Sequence, residues 1–205
     1  MLRRLLISTA VVLIAGAAAL PAEARMDPAT FIDKLGSQLQ VVVENPSPEQ
    51  RRVEFRQLFH KDFDVYSLGR FVLGRFSRIM TPAEQQEFLG LFDNYVIATY
   101  SDRLTEYVAG GAVPRVIGSR PDPDGVIVYS EFSRGSGSYS PGAIRVDWRL
   151  HKHHSKYKIR DIIIDGESMA ANGRSELEGV AERNGYQPQA ILAVMRQETA
   201  NALLR

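Results

Sequence analysis

The chain has 205 residues, with 25 Lys and Arg against 24 Asp and Glu, and a formal net charge of +1 at pH 7. This balance argues against nucleic acid as a partner, because such a partner requires clustered Lys and Arg to neutralise phosphates. The sequence contains no cysteine, so no disulfide supports the fold, which rests on its hydrophobic core.

The first residues have the pattern of a secretory signal peptide. Two arginines precede an apolar run from Leu5 to Leu20, and an A-x-A cleavage pattern ends at Ala24. The run is shorter than the roughly 18 to 20 residues that span a bilayer, which argues against an uncleaved anchor. We therefore predict cleavage after Ala24, a single mature domain over residues 25–205, and a location in a bacterial periplasm.

Residues 27–111 are predicted to be helical, and their first helix begins behind an Asp-Pro pair at Asp27. Apolar residues then recur at helical spacing from Phe31 to Val43.

The second predicted helix has Ser47 as its N-cap and Pro48 as its first residue. We expect Val53, Leu58 and Phe59 to face inward.

The segment "VYSLGRFVLGRFSRIM" follows Asp64 and contains Gly69 and Gly74. Each glycine lowers helix propensity by about 1 kcal/mol relative to alanine. Two interpretations remain open. The glycines allow another element or a ligand to approach closely, or the helix is broken into two short pieces.

The longest predicted helix begins with a capping box formed by Thr81 and Glu84, and a Gly-Gly pair ends it. Phe88, Phe92 and Tyr95 form an apolar stripe along it. Such a stripe is usually core, and the alternative is the wall of a ligand pocket.

The hydrophobic period changes to two after this helix, and residues 112–166 are predicted to form four successive antiparallel strands. The third strand has apolar residues from Ile144 to Leu150 on one face and charged residues on the other.

The fourth predicted strand is apolar at three consecutive positions, Ile162–Ile164, so we expect it to be covered on both faces. Two further helices are predicted within residues 170–204, divided by Gly185 and Pro188.

The histidines His151, His153 and His154 lie together in the stretch "HKHHSK". A metal site is one interpretation, but no adjacent Asp or Glu is available and the flanking lysines oppose a cation. A solvated hairpin turn is favoured.

Three carboxylates, Asp161, Asp165 and Glu167, are the candidates for general acid and base catalysis. In the structural alternative, Asp161 pairs with Arg160 or with an arginine of another strand, and Asp165 opens a turn. No nucleophile elbow, dinucleotide motif or phosphate-binding loop is present. We expect a protein that is not an enzyme.

An ordered set of motifs resembles the MlaC family of toluene-tolerance or Ttg-type auxiliary proteins, which includes some hopanoid-associated proteins. The set consists of "LGRFVLGRFSRIMTPAEQQEFLGLF", "VDWRL", "YKIRDIIIDGESM" and "NGRSE". The resemblance extends from about Phe63 to Met195.

The resemblance implies a cone-shaped α+β fold. A curved antiparallel sheet of about four to five strands would pack against N- and C-terminal helices around a deep apolar pocket. It also implies a soluble periplasmic carrier of phospholipid that helps to maintain outer-membrane lipid asymmetry. The implied partners are an outer-membrane lipoprotein complex and an inner-membrane ABC transporter with an MCE-domain subunit. No metal or organic cofactor is expected.

The "HKHHSK" hairpin and the long "RGSGSYSPG" loop depart from the family pattern. The hairpin is more basic than the family requires, and we consider it a candidate docking surface.

A lipid carrier must shield about 30 methylenes from water, at roughly 0.8 kcal/mol each, which amounts to about 25 kcal/mol.

Four arginines are candidates for contact with the lipid headgroup, namely Arg70, Arg75, Arg145 and Arg149. A hopanoid carrier, a lipid-modifying enzyme using Asp161 or Asp165, and a structural adaptor without a cavity are the alternatives. The residues expected to line the pocket are Phe71, Phe88, Phe92, Tyr95, Val128, Ile144, Val146, Trp148, Ile163 and Met169.

Overall fold

The structure is a computed structural model that describes residues 26–109, 114–132, 143–154 and 156–203. The predicted signal peptide and the Gly-Ser loop lie outside these residues. The helices are α1 Pro28–Glu44, α2 Pro48–Asp62, α3 Val65–Leu73, α4 Pro82–Ala109, α5 Met169–Arg183 and α6 Pro188–Leu203. The strands are β1 Pro114–Asp122, β2 Gly125–Phe132, β3 Ile144–His153, β4 Lys156–Ile164 and β5 Glu167–Ser168.

The five strands form one sheet in the order β1-β2-β3-β4-β5, and each strand is antiparallel to the next. The four predicted strands are therefore confirmed, and β5 is a short fifth strand that leads into α5. Short turns join β1 to β2, β3 to β4 and β4 to β5, and turns of this length can join only antiparallel neighbours.

The predicted helix starts are confirmed at the level of single hydrogen bonds. The Asp27 side chain accepts hydrogen bonds from the backbone N–H groups of Ala29 and Thr30 at the start of α1. At the start of α4, the Thr81 N–H donates to the Glu84 carboxylate over 2.7 Å, and the Glu84 N–H donates to the Thr81 hydroxyl over 3.3 Å. These bonds satisfy backbone donors that have no partner within the helix.

The predicted inner face of α2 is right for Leu58 and Phe59 but wrong for Val53, which is 45% exposed. Phe55 is buried instead. Residues three and four apart share a helix face, so Phe55, Leu58 and Phe59 form one stripe. Val53 precedes Phe55 by two positions and therefore lies on the opposite side of the helix.

Both interpretations of the two glycines are confirmed, each at a different glycine. Helix α3 ends at Gly74, which has a φ of 53° and is followed by a short 3-10 helix, Gly74–Arg78. At Gly69, a Cβ atom would lie only 2.7 Å from the Leu89 side chain of α4. The close neighbour is another helix.

Two apolar clusters divide the interior. In the first, the sheet cluster, strands β2, β3 and β4 pack against α1, α2 and α4. The second, the helical cluster, joins α3, the 3-10 helix and the start of α4 to α5 and α6. The helical cluster contains Val72, Leu73, Phe76, Met80, Phe88, Leu177, Ala181, Ile191 and Leu192.

Strand β4 contains a bulge that the sequence pattern did not predict. Arg149 of β3 lies opposite Asp161, whereas the next residue, Leu150, lies opposite Ile159, so Arg160 is an extra residue. The bulge places both Arg160 and Asp161 on the outer face, because Ile159 packs in the sheet cluster and the Asp161 carboxylate contacts Arg149.

The two faces of β4 after the bulge are covered by different parts of the protein. Ile162 packs against the sheet cluster, and on the other face Asp161 accepts a hydrogen bond from the Ala170 N–H at the start of α5. The predicted cover is confirmed on the inner face at Ile162, and on the outer face α5 covers Asp161, just before the three isoleucines. It is wrong for Ile164, which is 36% exposed at the end of the strand.

Candidate functional site

The inner face of the sheet is an apolar wall. Because side chains alternate along a strand, Val146, Trp148 and Leu150 of β3 all point to this face. In β2, Val128 lies directly opposite Trp148. All four side chains are buried. The helices supply the facing wall with Phe31, Ile32, Leu35, Leu39, Val42, Phe55, Leu58, Phe59 and Ile97.

The inner face becomes more exposed toward one end of the sheet, which we call the open end and define by Phe132, Ile144 and Ile164. Phe132 lies opposite Ile144, and Ile164 lies opposite Val146, so the three residues share this end. Phe132 and Ile144 are only partly buried, and Ile164 is partly exposed. The apolar wall therefore reaches solvent here.

The polar atoms within the wall are paired with each other. The Trp148 Nε1–H donates to the Ser130 hydroxyl over 2.9 Å, and that hydroxyl donates to the Val146 carbonyl over 2.8 Å. Since buried polar groups are costly when unpaired, these bonds let Trp148 and Ser130 occupy an apolar interior. They leave this part of the wall with the character of a hydrocarbon surface.

The outer face of the sheet carries charges that are largely paired. The Arg145 guanidinium lies 2.9 Å from Asp147, and the hydrogen bond and charge of Asp147 raise the pKa of Arg145 above its ordinary value. Arg149 lies 3.7 Å from Asp122 and 3.5 Å from Asp161. Neither of these two headgroup candidates faces the apolar wall.

Asp161 has a structural environment, as the structural alternative expects. Its side chain is 4% exposed and accepts hydrogen bonds from the Ser168 hydroxyl over 2.7 Å and from the Ala170 N–H over 3.2 Å. Arg149 of the neighbouring strand supplies the positive charge. The carboxylate therefore anchors the start of α5 to the sheet.

The other two candidate carboxylates lie at the β4–β5 turn. The Asp165 N–H donates to the Arg145 carbonyl over 3.0 Å, and its side chain accepts from the Arg145 N–H. Asp165 has a φ of 50°, which confirms that it opens the turn. Glu167 accepts a hydrogen bond from the Asn172 amide over 3.3 Å.

The three clustered histidines have different surroundings. His151 lies 3.0 Å from the Asp64 carboxylate, although the contact lacks the geometry of a hydrogen bond. No carboxylate adjoins the histidines in the sequence, but Asp64, at the start of α3, is brought beside His151 by the fold. His153 and His154 are exposed, in keeping with a solvated turn. Among the described residues, no group of His, Cys, Asp and Glu could hold a metal ion.

A side cavity of about 430 Å³ lies between the two apolar clusters. Phe63 and Val65, on one side, pack against the sheet cluster, and Leu89, on the other, packs against the helical cluster. The residues that line it are His60, Phe63, Asp64, Val65, Tyr66, Leu89, Asp93, His153 and Lys158.

The pKa values of Asp64, which lines the side cavity, and of Asp62, two residues before it, are shifted in opposite directions. Burial alone would raise the pKa of Asp64, but hydrogen bonds from Ser67 and the positive charge of His151 outweigh burial and lower it. For Asp62, burial raises the pKa, and the charges of Lys61 and Lys158 offset only part of this effect.

The structure brings together four of the predicted lining residues, namely Val128, Ile144, Val146 and Trp148, on the inner face of the sheet. The other six lie elsewhere. Phe88 and Phe92 belong to the helical cluster, and Ile163 lies on the outer face of β4. Tyr95 and Met169 are partly buried and belong to neither cluster.

Phe71 is 42% exposed, and the Arg174 guanidinium stacks 3.7 Å from the centre of its ring. This contact is on the surface of the helical part, away from the wall. Sequence reasoning also missed the facing wall. The apolar stripe of α1 was visible, but nothing local indicated that it packs against the sheet.

Comparison with known proteins identifies the fold and the family. The sequence model of the MlaC protein matches residues 30–197. The structure is similar to that of the phospholipid-binding protein from Ralstonia solanacearum in complex with a phospholipid. The TM-score is 0.70 at 19% identity, over 86% of this chain and 99% of that chain. No curated protein matches the sequence. The order of motifs, the α+β fold and the match over most of the chain lead to one conclusion: this protein belongs to the MlaC family.

Proposed function

We propose that this protein is a periplasmic phospholipid carrier that holds acyl chains against the inner face of its sheet. Membership of the MlaC family supports this function, and the similar Ralstonia solanacearum protein binds a phospholipid. The proposal includes export by a signal peptide that is cleaved after Ala24. It also includes exchange of lipid with an outer-membrane lipoprotein complex and an inner-membrane ABC transporter.

The observation that carries the proposal is the apolar wall that remains accessible at the open end. Val128 and Trp148 are buried deep in the wall, while Phe132, Ile144 and Ile164 continue the same surface to solvent. Apolar area buried against water contributes roughly 25 cal/mol per Å², so acyl chains gain most where such a surface is continuous. The tails would enter at the open end and extend toward Trp148.

The proposed lining consists of the four sheet residues Val128, Ile144, Val146 and Trp148. Tyr95 and Met169 would contact lipid only at the margins of the interior, and Phe71 would not contact it. Phe88 and Phe92 have a packing role in the helical cluster, which connects the helices to each other. The headgroup would remain near the open end.

Native mass spectrometry of the protein recovered after export tests the proposal. We expect the protein to begin at Arg25 and to carry an additional mass equal to a diacyl phospholipid. A bound hopanoid would retain the carrier function but change the ligand. Protein that is consistently free of lipid, when purified without detergent, would contradict the proposal.

A further inference from the structure

The hairpin between β3 and β4 concentrates positive charge. Residues 148–160 contain no Asp or Glu. Two of their arginines are paired with carboxylates, since Arg149 contacts Asp161 and Arg160 contacts Asp124. The lysines Lys152 and Lys156, near the turn, remain exposed. The hairpin therefore presents exposed positive charge beside its turn.

Helix α3 and the 3-10 helix after it form a second segment without acidic residues. Residues 65–80 contain three arginines and no Asp or Glu. Helical spacing places Tyr66 and Arg70 on one face, where the Arg70 guanidinium lies 3.4 Å from the Tyr66 hydroxyl. Tyr66 is 61% exposed, and Ile79, just after the 3-10 helix, is 50% exposed. The surface thus combines cations with large apolar groups.

The two surfaces adjoin each other at the side cavity. His153 and Lys158 from the hairpin and Tyr66 from α3 all line it. The Lys158 ammonium also donates to the carbonyl of His60 over 2.9 Å, which holds the hairpin against the end of α2. We call the combined area the basic surface, and it consists of Tyr66, Arg70, Phe71, Arg75, Arg78, Ile79, Lys152, His153, His154, Lys156 and Lys158.

Most of the carboxylates that border the basic surface are paired with cations outside it. Asp64 lies beside His151, and Asp93 contacts both Arg56 and His60. Glu178 of α5 pairs with Arg75 and offsets its charge, whereas Arg174, four residues before Glu178, adds another cation that stacks on Phe71. Each of these carboxylates therefore already has a cationic neighbour.

We propose that the basic surface docks the protein on an anionic lipid bilayer. Lys and Arg around exposed Tyr, Phe and Ile side chains match a bilayer interface, where cations meet lipid phosphates and amphipathic rings sit at headgroup level. Lysine is depleted at protein–protein interfaces, which disfavours a protein partner for the Lys-rich hairpin. None of the described helices combines the length and apolar character needed to span a bilayer, so docking would be peripheral.

Vesicle co-sedimentation of the exported protein tests the docking. Vesicles that contain phosphatidylglycerol should bind the protein at low salt, and 0.5 M salt (roughly a 4 Å screening length) should release most of it. Vesicles of phosphatidylcholine alone should bind little. Equal binding to both kinds of vesicle, or no binding to the anionic ones, would overturn the proposal.

Two sets of substitutions separate charge from apolar contact. Each Lys or Arg near an anionic surface contributes about fivefold in affinity, so Lys152→Gln with Lys156→Gln should weaken vesicle binding by roughly 25-fold. Phe71→Ser should weaken it without changing charge. Lys34→Glu is the matched control, because it changes the net charge by the same two units. Lys34 is an exposed residue of α1 and lies outside the basic surface.

The docking is independent of the carrier function, and the two are measured separately. We expect the lysine variants to retain bound lipid in native mass spectrometry while losing vesicle binding. If Lys34→Glu loses as much vesicle binding as the lysine pair, the effect is one of net charge and the proposed surface is wrong. If the lysine pair impairs lipid transfer but binds vesicles normally, the surface serves a protein partner and membrane docking is wrong.

Discussion

At the scale of single residues, the buried polar side chains of Ser130, Trp148 and Asp161 are hydrogen-bonded within the protein. Trp148 donates to the Ser130 hydroxyl, which donates to the Val146 carbonyl. Asp161, on the outer face, is held by Arg149 and by the start of α5. Leaving such groups unpaired would cost about 1–3 kcal/mol each. The wall beside them can therefore contact hydrocarbon without exposing a polar atom to it.

The direction in which a strand residue points should decide whether it affects lipid binding. Ile164→Trp, on the inner face at the open end, should lower lipid affinity about fivefold or more, since overfilling a packed apolar site costs about 1–3 kcal/mol. Val146→Trp, deeper in the wall, should do the same. Lipid occupancy is measured by native mass spectrometry.

The matched control for both variants is Arg145→Trp, which adjoins Val146 but points to the outer face. Its occupancy should equal that of the unchanged protein. Thermal unfolding verifies that each variant is folded, and Ile164, which is already partly exposed, is the safer position for the larger ring. Unchanged occupancy in folded Ile164→Trp would mean that the open end is not where lipid enters.

At the scale of elements, short local signals set the helix ends. The most demanding one is at Gly74, where α3 stops and the 3-10 helix begins with a φ of 53°. The end of α3 is also held by Arg174, whose Nε–H donates to the Phe71 carbonyl over 2.7 Å. This junction shapes the surface that carries Arg70, Arg75 and Arg78.

Gly74→Ala should therefore destabilise the protein by about 1–2 kcal/mol, because an L-residue with a side chain is strained at this backbone conformation. Gly90→Ala provides the opposite case. It lies within α4 with no atom within 4 Å of an added Cβ, and the change should stabilise by about 1 kcal/mol. Urea unfolding at equilibrium measures both. A neutral Gly74→Ala would show that the junction tolerates ordinary residues.

At the scale of the whole molecule, the sheet cluster and the helical cluster differ in how completely they are covered. The helical cluster is closed by α5 and α6, whereas the sheet cluster continues to the open end. A ligand that binds only the folded protein adds to stability by mass action. Bound lipid should therefore stabilise the sheet cluster more than the helical cluster.

Removal of lipid should lower the melting temperature. At free lipid about 100 times the Kd, the stabilisation is about 2.7 kcal/mol. For a domain of this size that amounts to about 5–10 °C. Calorimetry before and after delipidation measures the change, and addition of phospholipid should restore the original value. An identical melting temperature in both states would contradict binding of lipid to the folded interior.

Features that depend on a few neighbouring residues could be predicted from the sequence. Asp27, Ser47 and the Thr81–Glu84 pair cap their helices through bonds to backbone groups at most three residues away. The alternation of Ile144, Val146 and Trp148 likewise follows from strand geometry alone. The resemblance to the MlaC family rests on the same kind of local information, as ordered short motifs.

Only the tertiary structure decided which of the apolar stripes meet. Phe88 and Phe92 have the same local pattern whether they face the sheet or the helices, and packing placed them against α3, α5 and α6. The bulge at Arg160 depends on how two neighbouring strands pair, and the contact between His151 and Asp64 joins residues far apart in sequence. Such contacts depend on the free energy of the assembled core. A pattern of spacing along one element therefore carries no information about them.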